Sequence, residues 1–173
     1  IVSACLERFG SLTTLVNAQL GVIYQVTSDG TPSLQLLSAY ADDGLNGHPE
    51  RLSIGQGLVG QCAADKRRML ISEMPTHAIP IGSALFKAVP RNIVVLPVLF
   101  ETQVKAVIEL ASLSEFTALQ MTFLEQLTTS IGIVLNSIEA TMQTEGLLKQ
   151  SQQLAGELQA QQRELQQTND QLE

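Results

Sequence analysis

Tryptophan is absent from this 173-residue chain, and aromatic residues make up only 4% of it. Few rings are therefore available to stack a flat ligand or an unpaired base. Two cysteines are too few for a disulfide framework or a Cys-rich metal cluster, so reduced thiols and a cytoplasmic setting are the expectation. Charged residues reach only 16%, and the basic ones are the scarcer, with ten Lys plus Arg against 17 Asp plus Glu and a net charge of −7. A chain of this balance gains nothing by neutralising a phosphate backbone, which argues against nucleic acid as a partner. No apolar run reaches the roughly 18–20 residues that a membrane span needs, so no insertion into a bilayer is expected. No secretory leader is visible, and the start at Ile1 rather than Met reads as a piece of a longer protein.

What is present is a 45% apolar composition, enough for one packed domain. The composition changes near residue 143. Residues 1–142 read as a globular domain and 143–173 as a helical extension rich in Gln, such as Gln159-Ala160-Gln161-Gln162. Val2, Cys5, Leu6, Phe9, Leu12, Val16 and Leu20 recur at spacings of three and four, which predicts a first helix ended by Gly21. Gly21–Thr27 and Ser33–Ala41 read as strands of a hairpin around the turn Ser28-Asp29-Gly30-Thr31-Pro32. Short strands are expected at Arg51–Ile54 and Met69–Ser72, flanking a short helix that opens at Gly55-Gln56-Gly57. Glu73–Arg91 carries three prolines and cannot be one regular element.

Asn92–Phe100 and Gln103–Ala111 form the strongest strand pair. In the second, Val104, Ala106, Ile108 and Leu110 alternate with Lys105, Val107 and Glu109, the period of a half-buried strand. Pro97 implies a bulge or an unpaired position. Ser112 to Glu115 fits a capping box, and no proline follows Phe116, so a long helix is expected to the end. Its second part has heptad leucines at Leu147, Leu154, Leu158, Leu165 and Leu172. That spacing is out of phase with Ile131, Ile138 and Met142, which suggests a stutter near Gly146. A helix apolar along one seam needs a partner, and the polar seam residues Ser151, Gln161 and Thr168 make the coil a weak one.

Gly55-x-Gly57-x-x-Gly60 has the spacing of a dinucleotide-binding turn. The segment Arg51–Ser72 is too compact for that crossover unit, and the hairpins around it indicate an antiparallel sheet. The glycines are better explained as backbone geometry. Cys62 has no His or Lys beside it to lower its pKa, so a packed thiol is the preferred reading. His48 and His77 have no second ligand at a metal-site spacing, and no catalytic set emerges from spacing. No catalytic residue, metal or cofactor is therefore assigned.

Leu52-Ser53-Ile54-Gly55-Gln56-Gly57-Leu58-Val59-Gly60-Gln61-Cys62-Ala63, the hairpin before it and the final hairpin LPVLFETQVKAVIELAS together resemble a GAF domain over about residues 1–142. The tail LLKQSQQLAGELQAQQRELQQTNDQLE is similar to the linkers that join such domains to the dimerisation helices of bacterial hybrid sensor histidine kinases. The resemblance implies an α+β fold: an antiparallel sheet flanked by helices from both chain ends, with a long C-terminal coiled-coil helix. It also implies a small-molecule pocket on the other sheet face. The cyclic-nucleotide signature and the bilin-type His beside Cys62 are absent. The phosphoacceptor His motif and ATP boxes are absent too, so this segment is expected to have no kinase activity of its own.

The resulting expectation is a sensory and dimerisation module of a signalling histidine kinase. The partners are a second copy, through the N-terminal and C-terminal helices, and an unidentified small molecule. Tyr24, Tyr40, Cys62, His77, Phe86 and Asn92 are pocket candidates by position. A ligand-free dimerisation spacer and a thiol enzyme of the free methionine sulfoxide reductase type are the alternatives.

Overall fold

A computed structural model describes residues 10–27, 30–41, 48–72, 74, 80–82 and 87–170, with side chains through residue 163. Two compact units divide the chain, residues 1–133 and 134–173. In the first, a helix over residues 10–15 (α1) precedes strands β1 (Leu20–Thr27), β2 (Ser33–Tyr40) and β3 (Arg51–Ser53). Helix α2 (Gly57–Asp65) follows, then β4 (Met69–Ile71), β5 (Ile81–Gly82), β6 (Lys87–Ala88), β7 (Asn92–Phe100) and β8 (Gln103–Ser112). Helix α3 runs from Ala118 to Asp170, so residues 134–170 of the second unit are helical. No helix among the described residues is long and apolar enough to cross a membrane.

Six strands form one antiparallel sheet in the order β3-β2-β1-β8-β7-β4, and β5 and β6 form a small separate ladder. The hairpins β1–β2 and β7–β8 follow from their alternation and turns. Pairing β1 with β8, from Leu20↔Ala111 to Gln25↔Ala106, joins them into one sheet. The α+β antiparallel architecture and the long final helix are as the sequence implies. Helix α2 packs on one sheet face, where Val22, Tyr24, Leu34, Val59, Cys62, Ala63, Val95 and Val107 form a buried cluster. The opposite face meets α1 and the first part of α3. A Cβ on Gly10 would touch the Tyr40 ring at 3.3 Å, and one on Gly132 would collide with the main-chain carbonyl of Leu99.

Several local expectations are corrected. The first helix does not reach Gly21. It ends in a left-handed residue, Asn17 (φ 55°), with Ala18 N–H donating to Thr13 O, and Gly21 lies inside β1 opposite Tyr40. The capping box is not at Ser112–Glu115, because Ser112 stays in the ladder opposite Asn92 and its hydroxyl donates to Asn17 O. It falls at Thr117 and Gln120 instead. Gln120 N–H donates to Thr117 Oγ1, and Thr117 N–H donates to Gln120 Oε1. Strand β8 is not half-buried: Val107 and Ile108, on opposite faces, are 0% and 1% exposed, because helices cover both sides. Pro97 pairs with Val107 in the β7–β8 ladder, and a register shift follows at Val98/Leu99. Strand β4 stops opposite Val95, so the other edge of β7 asks nothing of Pro97.

Candidate functional site

The α2 face of the sheet is where polar groups enter an apolar layer. The tight turn before α2 creates this face. Gly55 adopts φ 86°, its N–H donates to Gly60 O, and a Cβ on Gly60 would lie 2.5 Å from Ser53 O. Gly60 therefore serves a close backbone approach, while Gly55 and Gly57 (φ 64°) serve the left-handed turn, so all three are accounted for by backbone geometry. Helix α2 then lays Val59, Cys62 and Ala63 onto the sheet and ends at Lys66, a left-handed cap whose N–H donates to Cys62 O.

Cys62 is fully buried, and its thiol donates to Arg67 O at 3.2 Å. Burial first, then the charges of Asp65 and Glu109, push its pKa up to about 12. A thiol so placed stays protonated at neutral pH and is a poor nucleophile. Tyr24 is 1% exposed, and its hydroxyl donates to Pro49 O at 3.1 Å. His48, the residue before Pro49, has a buried Nε2 with no hydrogen-bond partner among the described residues.

Glu109 is the group that sequence reasoning placed wrongly. On β8 it pairs with Val22 of β1 and Val95 of β7, both members of the cluster under α2. It therefore lies on the covered face beside Val107, not on a solvated one. Burial holds its carboxyl above the ordinary carboxylate range. No hydrogen bond or ion pair to it occurs among the described residues. A signal was present in the sequence: Glu109 shares its face with Val107 in an otherwise apolar run, Ala106-Val107-Ile108-Glu109-Leu110-Ala111. A carboxyl at this point accepts hydrogen bonds when charged and donates one when neutral.

The candidates named from sequence do not converge on one place. Tyr24 and Cys62 belong to the cluster under α2. Tyr40 pairs with Gly21 and turns to the α1 side, against Gly10. Asn92 is on that same far face, opposite Ser112. Its Nδ2 donates to Ser114 O at 3.5 Å, while its buried Oδ1 has no partner among the described residues. His77 and Phe86 lie outside the described residues. No group of three or more His, Cys, Asp or Glu among the described residues is arranged to hold a metal ion.

A concavity lies at the β4–β7 side, an open groove of about 510 Å³ lined by Arg67, Arg68, Pro97, Glu125, Thr128 and their neighbours. Much of its polar lining is already engaged. Arg68 donates to Glu125 Oε1 at 2.6 Å, and Thr128 and Thr129 donate to Glu125 O.

A sheet in this strand order, with a Gly-turned α2 on one face and helices from both ends on the other, is matched by a family model for the GAF domain over residues 1–136. The chain belongs to the GAF domain family. No curated protein matches it. Solved structures share the fold. The GAF domain of a phosphoenolpyruvate-protein phosphotransferase from Acinetobacter is 15% identical, covering 80% of this chain and 84% of that one at a TM-score of 0.61. The second GAF domain of DevS from Mycobacterium smegmatis is 13% identical, covering 83% and 99% at 0.61. The type II free methionine-R-sulfoxide reductase from Thermoplasma acidophilum is 11% identical, covering 79% and 95% at 0.57. At these identities the likeness is one of fold.

Proposed function

We propose that this GAF domain is the sensory and dimerisation module of a signal-transduction histidine kinase, with a small molecule received on the α2 face and the output carried by pairing of α3 with a second copy. The observation that carries the reading is the row Leu147, Leu154 and Leu158, between 55% and 68% exposed on α3 at heptad spacing. Three leucines left in water on one helix are an unmet apolar burial, each worth roughly 1.5–3 kcal/mol when covered. The likeness of the Gln-rich tail to kinase linkers supplies the kinase context. Glu109 supports a ligand on the α2 face, since a desolvated carboxyl is stabilised by any donor that reaches it.

The raised pKa of Cys62 argues against the thiol-enzyme alternative. The ligand-free spacer finds support in the close packing of Tyr24 and Cys62, whose polar atoms are both taken up by main-chain carbonyls. Native mass spectrometry of the purified chain separates the readings. A dimer that retains a small molecule supports the sensor, and a ligand-free dimer supports the spacer. The double variant Leu158→Asp with Leu165→Asp is expected to sediment as a monomer. A dimer that survives both charges refutes the pairing.

A further inference from the structure

The groove at the β4–β7 side sorts its polar groups by kind. One wall is the turn between α2 and β4, where Lys66, Arg67 and Arg68 put three of the chain's ten basic residues in a row. Lys66 is held, its Nζ donating to Thr102 O at 2.7 Å. Arg68 is paired with Glu125 on the opposite wall. Arg67 lines the groove with no carboxylate paired to its guanidinium among the described residues. A guanidinium donates and cannot accept, so this wall offers N–H groups. The other wall is α3, and it offers the reverse. Thr128 and Thr129 already donate their hydroxyl protons to Glu125 O, at 3.0 and 2.9 Å, which leaves their lone pairs for a ligand. Glu125 has Oε2 beyond the oxygen that Arg68 engages. Between the walls lies an apolar floor of Leu96, Pro97 and Leu99.

We propose that this groove binds a free α-amino acid with an aliphatic side chain. Its carboxylate meets Arg67 and the remaining N–H groups of Arg68, its ammonium meets Glu125 and the threonine hydroxyls, and its side chain lies on the floor. The spacing of the charges selects this class. Arg68 Nη1 and Glu125 Oε1 are 2.6 Å apart, so the donor wall and the acceptor wall meet at one point. A ligand whose opposite charges are attached to one carbon engages both walls and leaves that pair intact. A plain anion has nothing to donate to Glu125 and the hydroxyls, and a plain cation faces the arginines.

The remaining features agree. No aromatic residue lines the groove among the described residues, so the floor suits an aliphatic chain better than a ring. An extended peptide is the poorer fit. Strand addition needs a regular row of main-chain donors and acceptors, whereas Pro97 has no N–H and β7 shifts register at Val98/Leu99. The volume of about 510 Å³ falls within the roughly 300–1,000 Å³ usual for small-molecule sites. The groove is separate from the α2 face, and a ligand in it reinforces the tie that Arg68 makes between the α2–β4 turn and α3.

Isothermal titration calorimetry of the full chain with L-leucine, L-isoleucine, L-valine and L-methionine tests this. The tightest of the four is then compared with the carboxylic acid and the amine that each lack one of its two charged groups. At least one amino acid is expected to bind, and each single-charge analogue to bind at least about tenfold more weakly, the effect of losing one charge-assisted hydrogen bond. Arg67→Ala is expected to weaken the amino acid by about the same factor; Arg67 is exposed, so the variant keeps its fold. No binding of any of the four at about 10 mM overturns the proposal. Equal binding of the analogue that lacks the ammonium makes the groove a simple carboxylate site and overturns it. Amino-acid binding undiminished in Arg67→Ala puts the ligand elsewhere, the α2 face included, and overturns it as well.

Discussion

Gly132→Ala sets two ordinary effects against each other, and the structure decides the sign. In a helix interior, Gly to Ala gains about 1 kcal/mol of backbone propensity. At Gly132, however, the new methyl group would overlap the main-chain carbonyl of Leu99 and lie 2.7 Å from its carbon. A backbone carbonyl in a paired strand cannot rotate aside as a side chain could. Leu99 pairs with Val104 beside a register shift, so moving it disturbs the β7–β8 ladder. Overpacking of this kind costs typically 1–3 kcal/mol, and contact with backbone belongs at the upper end. The net expectation is a loss of about 1–2 kcal/mol. At a urea slope of about 2 kcal/mol/M, the unfolding midpoint falls by roughly 0.5–1 M. Gly146→Ala on the same helix is the control. Nothing lies within 4 Å of its added Cβ, so it should keep the propensity gain and raise helix content. Urea titration followed by circular dichroism reads both. A Gly132→Ala protein as stable as the parent would refute the close approach of α3 to β7.

Three further outcomes are expected. Cys62 should alkylate slowly at pH 7.5 in the folded chain and rapidly in denaturant, because burial pushes its thiol pKa up to about 12; equal rates would refute its burial. Glu109→Gln should be more stable than the parent at neutral pH. The raised carboxyl pKa means that the folded state holds a proton the unfolded chain has released, so the cost of Glu109 is full above the raised value and vanishes below about 4.5. The advantage of the Gln variant should shrink as pH falls through that window, and a pH-independent difference in urea midpoints would refute the desolvation. Thr117→Ala should lower stability by about 1 kcal/mol through loss of the cap at the start of α3, read by thermal unfolding.

The elements legible from sequence were those fixed by local pattern. The hairpins β1–β2 and β7–β8 follow from alternation bounded by turn residues, and α3 from the long proline-free stretch. Faces were less legible. Tyr24 and Tyr40 are sixteen residues apart, and simple alternation through a two-stranded hairpin does not separate them. The β1–β2 ladder, however, shifts register between Ile23↔Ser38 and Tyr24↔Leu36, leaving Leu37 as an extra residue on β2. That single residue turns Ser38 and Tyr40 to the α1 side while Leu34 and Leu36 stay under α2. Glu109 was misplaced for a related reason. Alternation says that Glu109 and Val107 share a face, but only the packing of α2 says that this face is covered. The cap at Thr117 was missed because Ser112 offers the same chemistry five residues earlier and is consumed by the ladder.

Strand β8 is where the two parts of the proposed function meet, because its alternation divides them. Val107 and Glu109 face α2, while Ala106, Ile108 and Leu110 face the other way and are at most 1% exposed. A strand packed this tightly on both sides cannot absorb a change at one face by rotating its own side chains. A donor arriving at Glu109 removes a desolvation cost only in the arrangement that lets it reach the carboxyl. Its differential affinity for that arrangement limits how far it can bias the sheet. The neighbouring strand β7 meets α3 where Gly132 lies against the Leu99 carbonyl, with no side chain between them to act as a cushion. A shift of β7 with β8 must therefore move either that helix contact or the ladder. The ladder is the costlier of the two, since each buried main-chain hydrogen bond left unmade costs about 1–3 kcal/mol. The helix contact is thus the softer element, and it lies on the segment of α3 that exposes Leu119, Phe123 and Ile133.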